Sequence, residues 1–334
     1  SDVRREVPII AHRLRQGAVK RGTQVAFINP RPVDVLFPLA GNLASNGYGM
    51  AQHLAAVLAA ALRAEGRAAP ANVAAALDGV APSAEHERIA GMLTQGALRV
   101  ILLGALAERH AAFAELRALA RALAETTGAR LGYLPDGANA VGASLAGVTP
   151  HRGVGGRAVT KPGLAAAEMI GARLRGYLLV GGIEAADLAP SAVNESALQG
   201  AECVVALTPF ASEEQKANAT VILPVAAFAE TSGTWVNVEG RWQSVPGAAR
   251  APGEARPAWK VLRVLGNLLG LAGFEYLSSE EVRDELRREL GEYEAGHPTG
   301  SLTAGRLASL DATRDVGLYP VDAVVPRPRP LQEP

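Results

Sequence analysis

Short apolar runs alternate along this chain with longer Ala/Leu-rich stretches of helical period, and that alternation constrains its fold more than any other feature. The runs are QVAFI at 24–28, RVILL at 99–103, LGYL at 131–134, YLLV at 177–180, CVVAL at 203–207 and TVIL at 220–223. Between them, residues 4–21, 48–65, 85–95, 111–126, 164–174, 191–199 and 213–219 carry apolar positions at helical spacing. Near-continuous apolar strands joined by helical crossovers predict mostly parallel sheets covered by helices, an α/β class.

The rhythm breaks in four places. Residues 70–82, bounded by prolines, read as a connector. Between Gly137 and Gly163 lie seven glycines and no periodicity, which predicts a long loop or a lobe boundary. Residues 234–245 (TWVNVEGRWQSV) alternate apolar and polar on both sides of Glu239-Gly240, which predicts a β-hairpin with a two-residue turn. Two more helices follow at 259–271 and 278–290, the second opening with Ser278 and Glu281 as a capping box, and residues 318–334 hold five prolines and read as extended. The expected organisation is two Rossmann-like α/β lobes, 1–149 and 150–272, the second carrying the hairpin 234–245. A helical, proline-rich tail over 273–334 completes it.

Composition narrows the function. The chain is 49% apolar and 20% charged, enough to build a core, and 33 basic residues balance 33 acidic ones. Zero net charge speaks against nucleic acid as a partner and leaves little repulsion between neighbours in an assembly. A single cysteine, Cys203, excludes an internal disulfide and any four-cysteine iron–sulfur or zinc site within the chain. No run approaches the roughly 20 apolar residues of a membrane span, so no direct membrane insertion is expected. Ser1 in place of an initiator Met points to processing or to a piece of something longer.

Chemistry-bearing motifs are few. The six histidines, His12, His53, His86, His110, His151 and His297, are scattered without ligand spacing, so ordinary surface or core histidines are expected and no metal site. No phosphate loop, dinucleotide fingerprint or nucleophile elbow occurs. Gly153-Val154-Gly155-Gly156 suits either an anion-binding nest or a tight turn. Gly181-Gly182 ends a strand at an edge where α/β folds bind ligands, though glycine also suits the turn itself. Cys203 opens an apolar strand and reads as a small buried hydrophobe. Glu213-Glu214 and Glu280-Glu281 sit at helix starts, where carboxylates complement the dipole. In the hairpin, Glu230, Gly233, Thr234, Asn237, Glu239, Arg241 and Gln243 set polar groups among apolar ones. They suit a polar pocket or a simple cap on the sheet.

The segment 219–243 resembles the molybdopterin oxidoreductase superfamily. Ala219-Thr220-Val221-Ile222-Leu223-Pro224 corresponds to that family's strand-end run, with Thr220 where the family has Asp. Glu230, Gly233, Thr234, Asn237, Glu239, Gly240, Arg241 and Gln243 follow at the family's spacing, and 252–256 with Trp259 continue it. Residues 8–15, 24–30, 137–143 and 149–152 resemble the family of the large iron–sulfur subunit of NADH-quinone oxidoreductase, respiratory complex I.

The resemblance implies a C-terminal region of a longer polypeptide whose cysteine-rich N-terminal part holds the iron–sulfur clusters. It implies a scaffold without catalytic or metal residues and with no cofactor of its own. Gly233, Thr234, Asn237, Glu239, Gly240, Arg241 and Gln243 would form a vestigial pterin-facing motif. The partners would be that cluster domain and other peripheral-arm subunits, on the cytoplasmic side of a bacterial inner membrane. The alternative is part of a molybdopterin-dependent enzyme of the formate dehydrogenase type. There Thr234, Asn237, Glu239 and Arg241 would contact the pterin.

Overall fold

The computed structural model describes residues 2–45, 49–108, 110, 112–135, 137–181, 197–293 and 299–302. Two compact units separate between Gly137 and Ala138, and 299–302 belong with the first.

The first unit opens with α1 (Val3–Glu6) and α2 (Pro8–Arg21). The single helix expected over 4–21 is broken at Val7, because a residue preceding proline is pushed out of the helical region. Pro8 occupies the first position of α2 and Gly22, at φ 68°, ends it. Strand β1 (Ala26–Asn29) pairs in parallel with β2 (Gly41–Ala44), register Ala26 to Gly41. The sequence Gly-Asn-Leu-Ala gives β2 no strand signal of its own, and pairing imposes the conformation. A Cβ at Gly41 would lie 2.8 Å from Ile89 Cδ1, so the glycine lets the Ile89 side chain pack directly on the strand.

Then come α3 (Gly49–Ala64), α4 (Ala71–Leu77), α5 (Ala84–Gln95), β3 (Val100–Leu103), α6 (Ala105–Glu108), α7 (Phe113–Thr127) and β4 (Arg130–Tyr133). The expected connector 70–82 thus contains a helix, held because Val73 and Ala76 are buried in the core. Strands β3 and β4 pair in parallel. Helix α3 packs on both α5 and α7, and Val57, Leu58, Val73, Leu116, Leu119 and Leu123 are the centre of the core. Each such side chain contributes about 1.5–3 kcal/mol by leaving water.

The second unit starts with α8 (Ala140–Leu145), inside the segment expected to be a loop, and a single 3₁₀ turn at Val154–Gly156. Helix α9 (Ala166–Gly171) leads to β5 (Gly176–Val180), β6 (Cys203–Thr208), α10 (Glu213–Asn218) and β7 (Val221–Pro224). The three strands form one parallel sheet in sequence order. Strands stepping one way with right-handed crossovers place their connections on one face. Ile170, Ala197, Leu198 and Ala219 accordingly cluster over Tyr177 and Val204. On the opposite face Leu178 and Val180 are 46% and 57% exposed and Val221 43%. Cys203 is exposed, not buried as expected; it stands at the start of β6 in register with Gly176, on the face it shares with Leu178 and Val180.

Strand β8 (Gly233–Val236) pairs antiparallel with β9 (Trp242–Val245), followed by α11 (Ala258–Leu268) and α12 (Ser279–Leu290). Most of the predicted helix 191–199, Gly182 and the proline-rich tail 318–334 lie outside the described residues. No helix among the described residues is long and apolar enough to cross a membrane.

Candidate functional site

The hairpin is where the sequence concentrates its polar motif, and its geometry begins with its loop. Val236 pairs with Trp242, leaving Asn237 to Arg241 as the connection, so the expected two-residue turn is a five-residue one. Asn237 organises it. Its side-chain Oδ1 accepts the N–H groups of Glu239 (3.0 Å) and Arg241 (2.9 Å). Its backbone N–H donates to Arg241 O and its carbonyl accepts from Gly240. An Asn amide that satisfies the backbone ahead of it is a local turn device. Gly240 supplies the positive φ, +75°, that the turn requires.

The remaining motif residues divide the same way. Thr234 Oγ1 and Ser244 Oγ lie 2.8 Å apart across the strands. Glu230 Oε2 accepts the N–H of Ala227 at 2.9 Å, closing the short turn before the hairpin. A Cβ on Gly233 would meet the Trp235 ring at 3.3 Å. Glu239, Arg241 and Gln243 are exposed.

Two neighbours clamp the hairpin. From α12, Arg283 Nη1 donates to Ser244 Oγ (3.1 Å), Ser279 Oγ to Ser232 Oγ (2.9 Å), and the Arg287 guanidinium stacks 4.7 Å over the Trp242 ring. Helix α12 is capped by Ser278 Oγ, which accepts Glu281 N–H, while Glu281 reaches back to the N–H of Leu277 and not to that of Ser278. Arg283, 2.7 Å away, holds the Asp284 carboxyl below its ordinary range. Before α8, Asn139 Oδ1 accepts the N–H of Val236 at 2.9 Å. This tie was not derivable from spacing, because 97 residues separate its ends.

The glycine-rich run 153–156 forms a tight turn. Gly153 N–H donates to Arg157 O and Gly156 N–H to Gly153 O, so two of the amides a nest would need are taken. Arg157 in turn donates to the carbonyl of Glu289 at the end of α12 (2.7 Å). Gly181, at φ 96°, closes β5 by donating to Leu207 O.

A profile of the family described as Molybdopterin oxidoreductase matches residues 1–268 of the 334. The chain belongs to this family. Among curated relatives, the molybdopterin oxidoreductase chain is 40% identical over 137 residues to an NADH-quinone oxidoreductase subunit of Streptomyces coelicolor, covering 34% of this chain and 16% of that protein. It is 43% identical over 77 residues to the mitochondrial NADH-ubiquinone oxidoreductase 78 kDa subunit of Candida albicans, covering 22% and 10%. The Bacillus subtilis assimilatory nitrate reductase catalytic subunit is 31% identical over 164 residues, covering 42% and 23%. The chain therefore spans at most about a quarter of these relatives' lengths. Acetylene hydratase from Pelobacter acetylenicus shares the fold, with a TM-score of 0.53 at 15% identity, covering 80% of this chain and 46% of that one.

A molybdopterin group, which the family name implies, needs donors and acceptors turned towards it. Here Asn237 Oδ1 and Thr234 Oγ1 make hydrogen bonds within the hairpin. No side-chain atom of β8, β9 or their connection is both buried and without a hydrogen bond among the described residues.

Proposed function

We propose that this chain is a scaffold region, without catalysis of its own, of an NADH-quinone oxidoreductase subunit. The observation that carries the reading is the hairpin, in which the family motif survives as structure. Asn237 and Gly240 build the loop, Thr234 links the strands, and Glu239, Arg241 and Gln243 stand exposed. The higher identities to the two complex I subunits than to the nitrate reductase support it. In this reading the iron–sulfur clusters belong to the remainder of the parent polypeptide, which passes electrons from NADH towards quinone, coupled to proton translocation. This region holds no cofactor and packs against that cluster domain and other peripheral-arm subunits, on the cytoplasmic side of a bacterial inner membrane.

A second reading is part of a molybdopterin enzyme. The 35% identity over 100 residues to the F420-dependent formate dehydrogenase 2 subunit alpha of Methanococcus maripaludis favours it. Elemental analysis of the native complex containing this polypeptide separates the two. Abundant iron without molybdenum is the expected result. Molybdenum in stoichiometric amount overturns the scaffold reading.

A further inference from the structure

Two histidines that the sequence leaves 33 residues apart meet in the first unit. His53 lies on α3 and His86 is the third residue of α5. Their rings are 5.1 Å apart, and His53 Nδ1 lies 2.8 Å from His86 Nε2. On its other side, His86 Nδ1 accepts the backbone N–H of Ser83 at 2.9 Å, with Ser83 Oγ also at 2.8 Å.

The backbone contact fixes every proton in the chain. An amide N–H can only donate, so His86 Nδ1 is bare and its proton sits on Nε2. That proton donates to His53 Nδ1, which places the proton of His53 on its own Nε2. Both rings are neutral. A proton added to His86 lands on Nδ1 and faces the Ser83 N–H. The Ser83 hydroxyl can turn to accept it, but the backbone N–H loses its partner, which is half of the helix cap. A proton added to His53 lands on Nδ1 and opposes the N–H of His86. Each event removes one of the two contacts that hold the first turn of α5: a proton on His86 undoes the cap at Ser83 while Nε2–H still donates to His53, and a proton on His53 breaks the tie to α3.

We propose that the His53–His86 pair is a proton-operated latch. Neutral, it pins the first turn of α5 to α3; protonated, it releases that turn.

Surrounding charge does not relieve the arrangement. Glu85 acts on both rings and favours their protonation, but its carboxylate already accepts the Asn42 N–H (3.1 Å) and Arg88 (3.4 Å). Arg63 and Glu87 pair with each other across α3 and α5 at 3.2 Å. Strands β1 and β2 and helix α4 contribute no charged side chain. Helix α7 brings Glu115, Arg117, Arg121 and Glu125 to the same core. Burial is the largest influence on both histidines and lowers the proton affinity of each; for His53 the ring of His86 lowers it further. A lowered affinity in the fold means the unfolded chain takes up protons first. The latch is therefore fully closed above the ordinary imidazole range, near pH 6.5, and weakens as pH falls through it.

The test is hydrogen–deuterium exchange of the full chain between pH 8 and 5, with rates corrected for intrinsic pH dependence. Amides of residues 83–90 are expected to lose several-fold protection relative to those of α7 across this interval. The His86→Gln variant supplies an amide oxygen that accepts the Ser83 N–H at any pH, and the differential loss should vanish. Parallel ¹³Cε1-histidine spectra of the unmodified chain should show two imidazoles that titrate below the others and in step with the exchange. This arm needs no variant to fold. A wild-type protection ratio constant from pH 8 to 5, or an unchanged loss in His86→Gln, overturns the proposal.

Discussion

Gly142 and Asn139 make a coupled pair whose energetics can be worked from distances. A Cβ at Gly142 would lie 2.0 Å from Asn139 Oδ1 and 2.8 Å from its Cγ, and the three nearest heavy atoms all belong to Asn139. The Gly142→Ala variant must therefore push the Asn139 amide aside and break its 2.9 Å bond to the Val236 N–H. Val236 is 2% exposed, so that N–H is stranded away from water at a cost of about 1–3 kcal/mol. Overpacking adds another 1–3 kcal/mol or so, and better helix propensity inside α8 returns roughly 0.5–1 kcal/mol. A net loss of about 1–5 kcal/mol is expected. With Asn139→Ala already present, the obstacle and the bond are both gone, and adding Gly142→Ala should be neutral or slightly stabilising. The sign of one substitution thus depends on the other. Urea unfolding followed by tryptophan fluorescence measures it, because Trp235, Trp242 and Trp259 all lie in the second unit. Equal costs for Gly142→Ala in both backgrounds would refute the coupling.

Two further outcomes follow from the same unit. Asn237→Ala removes the acceptor of two loop N–H groups and should cost about 1–2 kcal/mol by the same fluorescence assay, against under ~0.5 kcal/mol for Arg241→Ala or Gln243→Ala on the exposed face. Equal effects from all three would mean that Asn237 does not organise the loop. Cys203 should react with a thiol reagent in the folded chain without denaturant, and protection until unfolding would contradict its exposure.

The strands and helices with strong periodicity were legible. YLLV, CVVAL and TVIL mark β5, β6 and β7, and the Ala/Leu stretches mark α3 and α7. Strand β2 was not, because Gly-Asn-Leu-Ala carries no propensity and exists by pairing with β1. Helix α4 was hidden by the prolines around it and is held by the burial of Val73. In the hairpin, residue types gave the strands but not the length of the loop, which depends on how Asn237 folds back. The bond from Asn139 to Val236 and the meeting of His53 with His86 are tertiary, and no local pattern encodes either.

The sheet of β5, β6 and β7 has a calorimetric consequence. Parallel sheets are ordinarily buried on both faces. This one leaves Leu178, Val180 and Val221 wetted while it is folded. Surface already in water contributes nothing when the chain unfolds. The heat-capacity increment of the second unit should then fall below the usual ~12–15 cal/mol/K per residue. A small increment flattens the curve of free energy against temperature, so this unit would change its stability little on cooling or warming, and burial of these three side chains against a partner would restore the curvature.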